Sequence, residues 1–73
     1  MNKNEIIFVV EEDPEGGYNA EAPGYSIFTD GDTIPELRKN ILDAVKCHFD
    51  SNSSSAPKLI RLHFVREETL AYA

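Results

Sequence analysis

Residues 11–25, EEDPEGGYNAEAPGY, hold two Pro and three Gly in fifteen positions. Such a stretch is either a glycine-rich cradle for a phosphate or a pair of turns between strands. Phosphate cradles follow G-x-x-x-x-G-K-[ST] or G-x-G-x-x-G and lead into a helix N-terminus. No Lys follows Gly16 or Gly17, and the stretch joins two strand-like runs, so it reads as turns. Asp13, Pro14 and Gly16 occupy positions one, two and four of a type I turn closed by a left-handed glycine, the longer hairpin connection with a G1-type bulge. Pro23-Gly24 makes a second turn.

Strands follow on either side of these turns. Ile6-Ile7-Phe8-Val9-Val10 is apolar on both alternating faces, as expected of a central strand covered on both sides. Tyr18, Ala20 and Ala22 alternate with Asn19 and Glu21. Tyr25 to Thr29 resumes as a third strand, with Tyr25, Ile27 and Thr29 opposite Ser26 and Phe28, and Asp30-Gly31-Asp32 ends it. The three form an antiparallel meander.

Thr33-Ile34-Pro35-Glu36 then opens a helix. Thr33 suits the N-cap, Glu36 completes a capping box, and Pro35 falls in the first turn, where amides lack intrahelical partners. Ile34, Leu37, Ile41, Val45 and His48 or Phe49 recur at steps of three or four, and Leu42 and Ala44 widen that stripe. Residues 50–57 form a polar linker. After Pro57, Ile60, Leu62 and Phe64 alternate against Arg61 and His63 as a fourth strand. The tail, residues 66–73, could extend that strand, fray, or dock on a neighbour, and is too short for a DNA-binding domain.

The expected fold is α+β, with order β-β-β-α-β over a single domain, 1–73. A right-handed crossover through the helix lets the last strand lie parallel to the first. The spatial order is then 3-2-1-4, with one helix on one face and the other face bare, so that this face or an open edge is where a second copy or a partner would dock.

Composition narrows function. A chain of 73 residues buries only about 60% of its unfolded surface. Cys47 is the single cysteine, so no internal disulfide adds to that core, and no Cys/His cluster has zinc spacing. A homodimer or higher homo-oligomer is therefore expected. The net charge of −6 repels phosphate backbones and suits a basic partner, or serves solubility alone. The apolar run at 6–10 is too short for a signal peptide or a membrane span, which makes a reducing cytoplasmic setting the default.

No cofactor or metal set is legible. Asp30-x-Asp32 lacks the further oxygens of a calcium loop. Cys47 and His48 point about 100° apart on a helix, and a nucleophilic pair needs contact plus an orienting group. A core cysteine and satisfied or exposed histidines are the ordinary alternative. Tyr18, Tyr25 and Phe28 are the aromatics expected to show on the meander, with packing beneath the helix as the alternative.

The ordered set of a hydrophobic first strand, Asp13-Pro14-Glu15-Gly16-Gly17-Tyr18-Asn19-Ala20, Pro23-Gly24, and Gly31-Asp32-Thr33 with Glu36 resembles the HicB antitoxin domain over roughly residues 5 to 65. The resemblance implies a partial RNase H-like fold and the HicB role: binding and occluding a small basic HicA-like toxin that cleaves mRNA. RNase H chemistry needs carboxylates converging on two metal ions, one of them on the first strand. Here that strand offers only apolar residues between Glu5 and Glu11, so a non-catalytic interaction module is expected. Its partner-binding residues would be Tyr18, Glu21, Tyr25, Phe28, Asp30 and Asp32. The alternative is an orphan stand-alone HicB-fold protein with no toxin partner.

Overall fold

The computed structural model describes residues 4–49 and 56–72. Its elements run β1 (Glu5–Glu12), β2 (Tyr18–Ala22), β3 (Ile27–Gly31), α1 (Ile34–His48) and β4 (Leu59–Val65). The sheet order is β3-β2-β1-β4, with β1 antiparallel to β2, β2 antiparallel to β3, and β1 parallel to β4. This is the α+β mixed sheet expected from the sequence, with one helix. Of the polar linker placed at 50–57, residues 50–55 lie outside the described residues. The tail from Arg66 to Tyr72 adds no strand and is exposed throughout.

The first turn forms as its residues dictate. The Gly16 amide donates to the Asp13 carbonyl at 2.9 Å, closing a four-residue turn. Gly16 and Gly17 take φ of +109° and +84°, values that L side chains rarely adopt. The Asp13 carboxylate accepts from the Glu15 amide at 2.8 Å and from Asn19 Nδ2 at 3.0 Å. These two bonds hold its carboxyl below the usual carboxylate range, the Glu15 amide contributing most.

The second connection departs from expectation. The Tyr25 amide donates to the Ala22 carbonyl at 3.1 Å, and Gly24 at φ +89° gives a type II turn with Pro23 at its second position. Type II geometry twists against the right-handed twist of paired strands. The chain returns to register only after two more residues, and Ser26 takes the left-handed region at φ +57°. Tyr25 and Ser26 therefore belong to the turn. The third strand starts at Ile27 and runs through Asp30 and Gly31, two residues later than the alternation suggested.

Thr33 caps α1: its hydroxyl accepts from the Glu36 amide at 3.2 Å, a contribution of about 1 kcal/mol. The returning Glu36 carboxylate accepts from Asp32, at 3.0 Å, one residue before the amide a capping box would engage. Leu37, Ile41 and Val45 point inward onto Ile6, Phe8, Val10, Ala20, Ala22 and Ile27, none of them more than 5% exposed. Among the described residues no polar or charged side chain is buried. Two residues expected inside are outside. Leu42 is 59% exposed and Cys47 is exposed, because the helix presents only its narrow 37–41–45 stripe to the sheet.

The helix sits off-centre. It packs on β3 and, less extensively, on β2. A Cβ on Gly31 would stand 2.6 Å from the Leu37 amide nitrogen and 2.7 Å from Leu37 Cα, so only glycine allows this approach. Asn40 Nδ2 donates to the Asp30 carbonyl at 2.7 Å, which ties the helix to the β3 end of the sheet. Among the described residues, nothing packs on the other sheet face, and the β4 end of the helix side is only partly covered.

Candidate partner-binding face

Strand register lays out the bare face in rows. Phe28, Glu21, Val9 and His63 stand side by side across β3, β2, β1 and β4. Asp30, Asn19, Glu11 and Val65 form the next row, and Ile7 with Arg61, then Glu5 with Leu59, continue it toward the strand starts. Phe28 is 62% exposed and Ile7 45%, Val9 is half-buried, and Glu11, Glu21 and Asp30 are exposed. An apolar patch is thus set among carboxylates. Arg61 Nε is ion-paired with the Glu5 carboxylate on this face.

The relief is shallow. Val9, Glu11, Asn19, Glu21 and Phe28 surround a hollow of about 230 Å3. A larger hollow of about 490 Å3 lies at the end of β1, lined by Glu11, Glu12, Asp13, Pro14, Val65 and Glu67. Neither has the apolar enclosure of a small-molecule site, and among the described residues no group of His, Cys, Asp or Glu is placed to hold a metal ion. The hollow at β1 concentrates four carboxylates, so what the region offers is a negative field.

The six residues singled out from sequence do not form one patch. Glu21, Phe28 and Asp30 share the bare face. Tyr18 packs against the core on the helix side, at the end where it pairs with Gly31. Asp32 lies exposed beside the N-cap, its amide held by Glu36. Tyr25 is at the opposite end of the sheet, edge-on to His48 and Phe49 with ring centroids 6.3 Å and 5.9 Å away. His63 is on the bare face and Cys47 on the helix, so the sheet separates them and no Cys–His pair exists.

Sequence reasoning missed Ile7, Val9 and Glu11. It took β1 to be covered on both faces, whereas its odd positions face outward. The signal was the pair of glutamates at Glu5 and Glu11, which share the parity of Ile7 and Val9 and mark that side as the wet one.

The described residues thus form a small α+β sheet with one bare face that mixes carboxylates and apolar side chains. No protein-family model matches the chain, and no solved structure matches it. Among curated proteins, it is 48% identical over 69 residues to a "UPF0150 protein" of Thermotoga maritima, spanning 94% of each chain. It is 46% identical over 54 residues to a "UPF0150 protein" of Archaeoglobus fulgidus, spanning 74% of this chain and 77% of that one. The chain belongs to the UPF0150 family. Among the described residues no helix is long and apolar enough to cross a membrane.

Proposed function

We propose that this chain is a non-catalytic, HicB-like interaction module, and that it works as an antitoxin-type inhibitor of a small basic HicA-like mRNA-cleaving toxin. The observation that carries the reading is Phe28. It is a large aromatic side chain, 62% exposed at the β3 end of a strand row, with Glu21 beside it and Asp30 one row on. An aromatic anchor ringed by charge is the composition of an interface hot spot. The carboxylates of Glu11, Glu21 and Asp30 match a basic surface and speed its approach, and Phe28 with Val9 and Ile7 supplies apolar area to bury.

Inhibition on this reading is occlusion. A toxin that binds RNA must present cations to phosphates, and this face competes for those cations without chemistry of its own. The bare face carries an open hollow of about 230 Å3 that a protein surface can lie across. The partial RNase H-like likeness read from the sequence supplies the scaffold and no nuclease centre.

The test is titration of the full chain against a basic HicA-like ribonuclease encoded in the neighbouring reading frame, following RNA cleavage and complex formation. A micromolar or tighter complex that silences cleavage is expected, weakening as salt rises. Phe28→Ala should weaken it by about 30-fold, the equivalent of a 2 kcal/mol hot spot. Absence of a complex at micromolar concentration, or equal binding by Phe28→Ala, would remove the reading.

A further inference from the structure

Among the described residues β4 is the end strand of the sheet and pairs along one edge only, with β1. Its helix-side residues Ile60, Leu62 and Phe64 lie in register with Ile6, Phe8 and Val10, yet α1 does not reach over them. Ile60 and Leu62 are half-buried and Phe64 is 49% exposed. Between them and the helix runs a groove lined by Arg38, Ile41, Leu42, Ile60 and Leu62. An unblocked strand edge beside an unsealed apolar strip is a surface that folded chains normally cover.

We infer that this edge pairs with the β4 edge of a second copy, antiparallel about a two-fold axis at Leu62, joining two sheets into one of eight strands. A two-fold contact requires a self-complementary surface, and Leu-Ile-Arg-Leu-His-Phe-Val, residues 59–65, is symmetric in character about its centre. In that register Leu62 meets Leu62, Ile60 meets Phe64, and Leu59 meets Val65. Arg61, already engaged with Glu5, stands beside His63. The next pair would set Lys58 against Arg66, which confines the ladder to these seven residues.

The neighbouring registers fail. Moving the axis to His63 sets Ile60 against Arg66 and Leu59 against Glu67. Moving it to Arg61 sets Phe64 against Lys58. Charge opposite an apolar side chain leaves both poorly matched.

The surface area agrees with a second copy as occupant. The chain exposes 6009 Å2, against about 4,500 Å2 for a compact monomer of this mass. Its radius of gyration is 14.3 Å, against about 11 Å expected. A stable interface takes roughly 800 Å2 from each partner, and the β4 edge, the groove beside it and the arm are the apolar surfaces a second copy would cover together. Part of the excess is the arm from Arg66 to Tyr72, on which Leu70 and Tyr72 are 78% and 102% exposed. Antiparallel pairing sends each arm past residues 56–58 of the other copy. The edge also carries Lys58, Arg61 and Arg66, so it is unsuited to the basic partner proposed for the bare face. The inference stands whether or not that partner exists.

Sedimentation and light scattering of the full chain, with circular dichroism of each variant, test it. The chain should be a dimer at micromolar concentration, and Leu62→Lys and Phe64→Lys should each be folded monomers. Phe28→Lys, on the bare face, should remain a dimer. In a Cys47→Ser background, Leu62→Cys should oxidise to a cross-linked dimer, since opposed residues of an antiparallel pair meet the Cα separation a disulfide needs, whereas Phe28→Cys should not. If Leu62→Lys and Phe64→Lys fail to fold, the cross-linking pair still decides. A monomer at every concentration overturns the inference. So does a dimer that survives Leu62→Lys but not Phe28→Lys, or cross-linking at Phe28 in place of Leu62.

Discussion

β1 and β4 run side by side in parallel, and their inward residues match pair for pair: Ile6 with Ile60, Phe8 with Leu62, Val10 with Phe64. In composition and alternation the two strands are near twins, yet their burial diverges. Ile6, Phe8 and Val10 are at most 1% exposed, and Phe64 is 49% exposed. The cause is the helix, which a two-residue link from β3 and a glycine-tight contact at Gly31 hold over the β3 side of the sheet. Alternation decides which way a side chain faces. What covers it depends on the path of the next element.

The largest expected effect breaks the twin strands apart. Phe8→Ala empties a fully enclosed site and should cost about 3–5 kcal/mol, a large share of the stability of a small domain. Leu62→Ala, at the paired position, should cost about 1 kcal/mol in dilute solution, where Leu62 is only half-buried. Urea unfolding at low protein concentration measures both. Equal losses would mean that β4 is sealed within one chain, and the contrast would vanish.

A second substitution acts on the cause. Gly31→Ala places a methyl against the backbone of Leu37, with 2.6 Å to its amide nitrogen, and neither the helix nor the strand can yield cheaply. A loss of about 1–3 kcal/mol is expected, as for other overpacked sites, together with a loosened helix N-terminus visible in amide exchange. An unchanged urea midpoint would show that the helix is free to shift, and its off-centre position would need another explanation.

Much of this was legible before the structure, and the gaps have physical reasons. Asp13-Pro14-Glu15-Gly16-Gly17, the Thr33 cap and the 37–41–45 stripe each carry local chemistry that sets backbone geometry, and each forms where the sequence put it. The start of β3 was misplaced because a type II turn at Pro23-Gly24 needs extra residues to restore strand twist, a constraint that lies in the pairing and not in Tyr25 or Ser26. Leu42 and Cys47 were placed inward because a helical stripe has no sharp edge until its neighbours are known. Phe28 was legible as facing away from Ile27 and Thr29, but not as bare, since cover is a tertiary fact. The partner-facing set rested on motif position and charge, neither of which reports which side chains share a face: Glu21, Phe28 and Asp30 do, while Tyr18, Tyr25 and Asp32 stand elsewhere.

The smallest effect sharpens the comparison at the far end of β1, where the sealed half of the sheet turns into β2. Asp13 serves the turn only as a carboxylate, accepting from the Glu15 amide and from Asn19. Its folded pKa lies below the ordinary value, so its contribution is present above the unfolded pKa of about 3.9 and fades as pH falls through the lower folded value. Asp13→Ala should therefore lower the urea midpoint modestly at neutral pH, and the gap to the parent chain should close as the solution is acidified below about pH 4. A difference between parent and Asp13→Ala that stays constant with pH would mean that the side chain supports the turn by its shape and not by its charge. The first turn would then owe its geometry to Pro14, Gly16 and Gly17 alone.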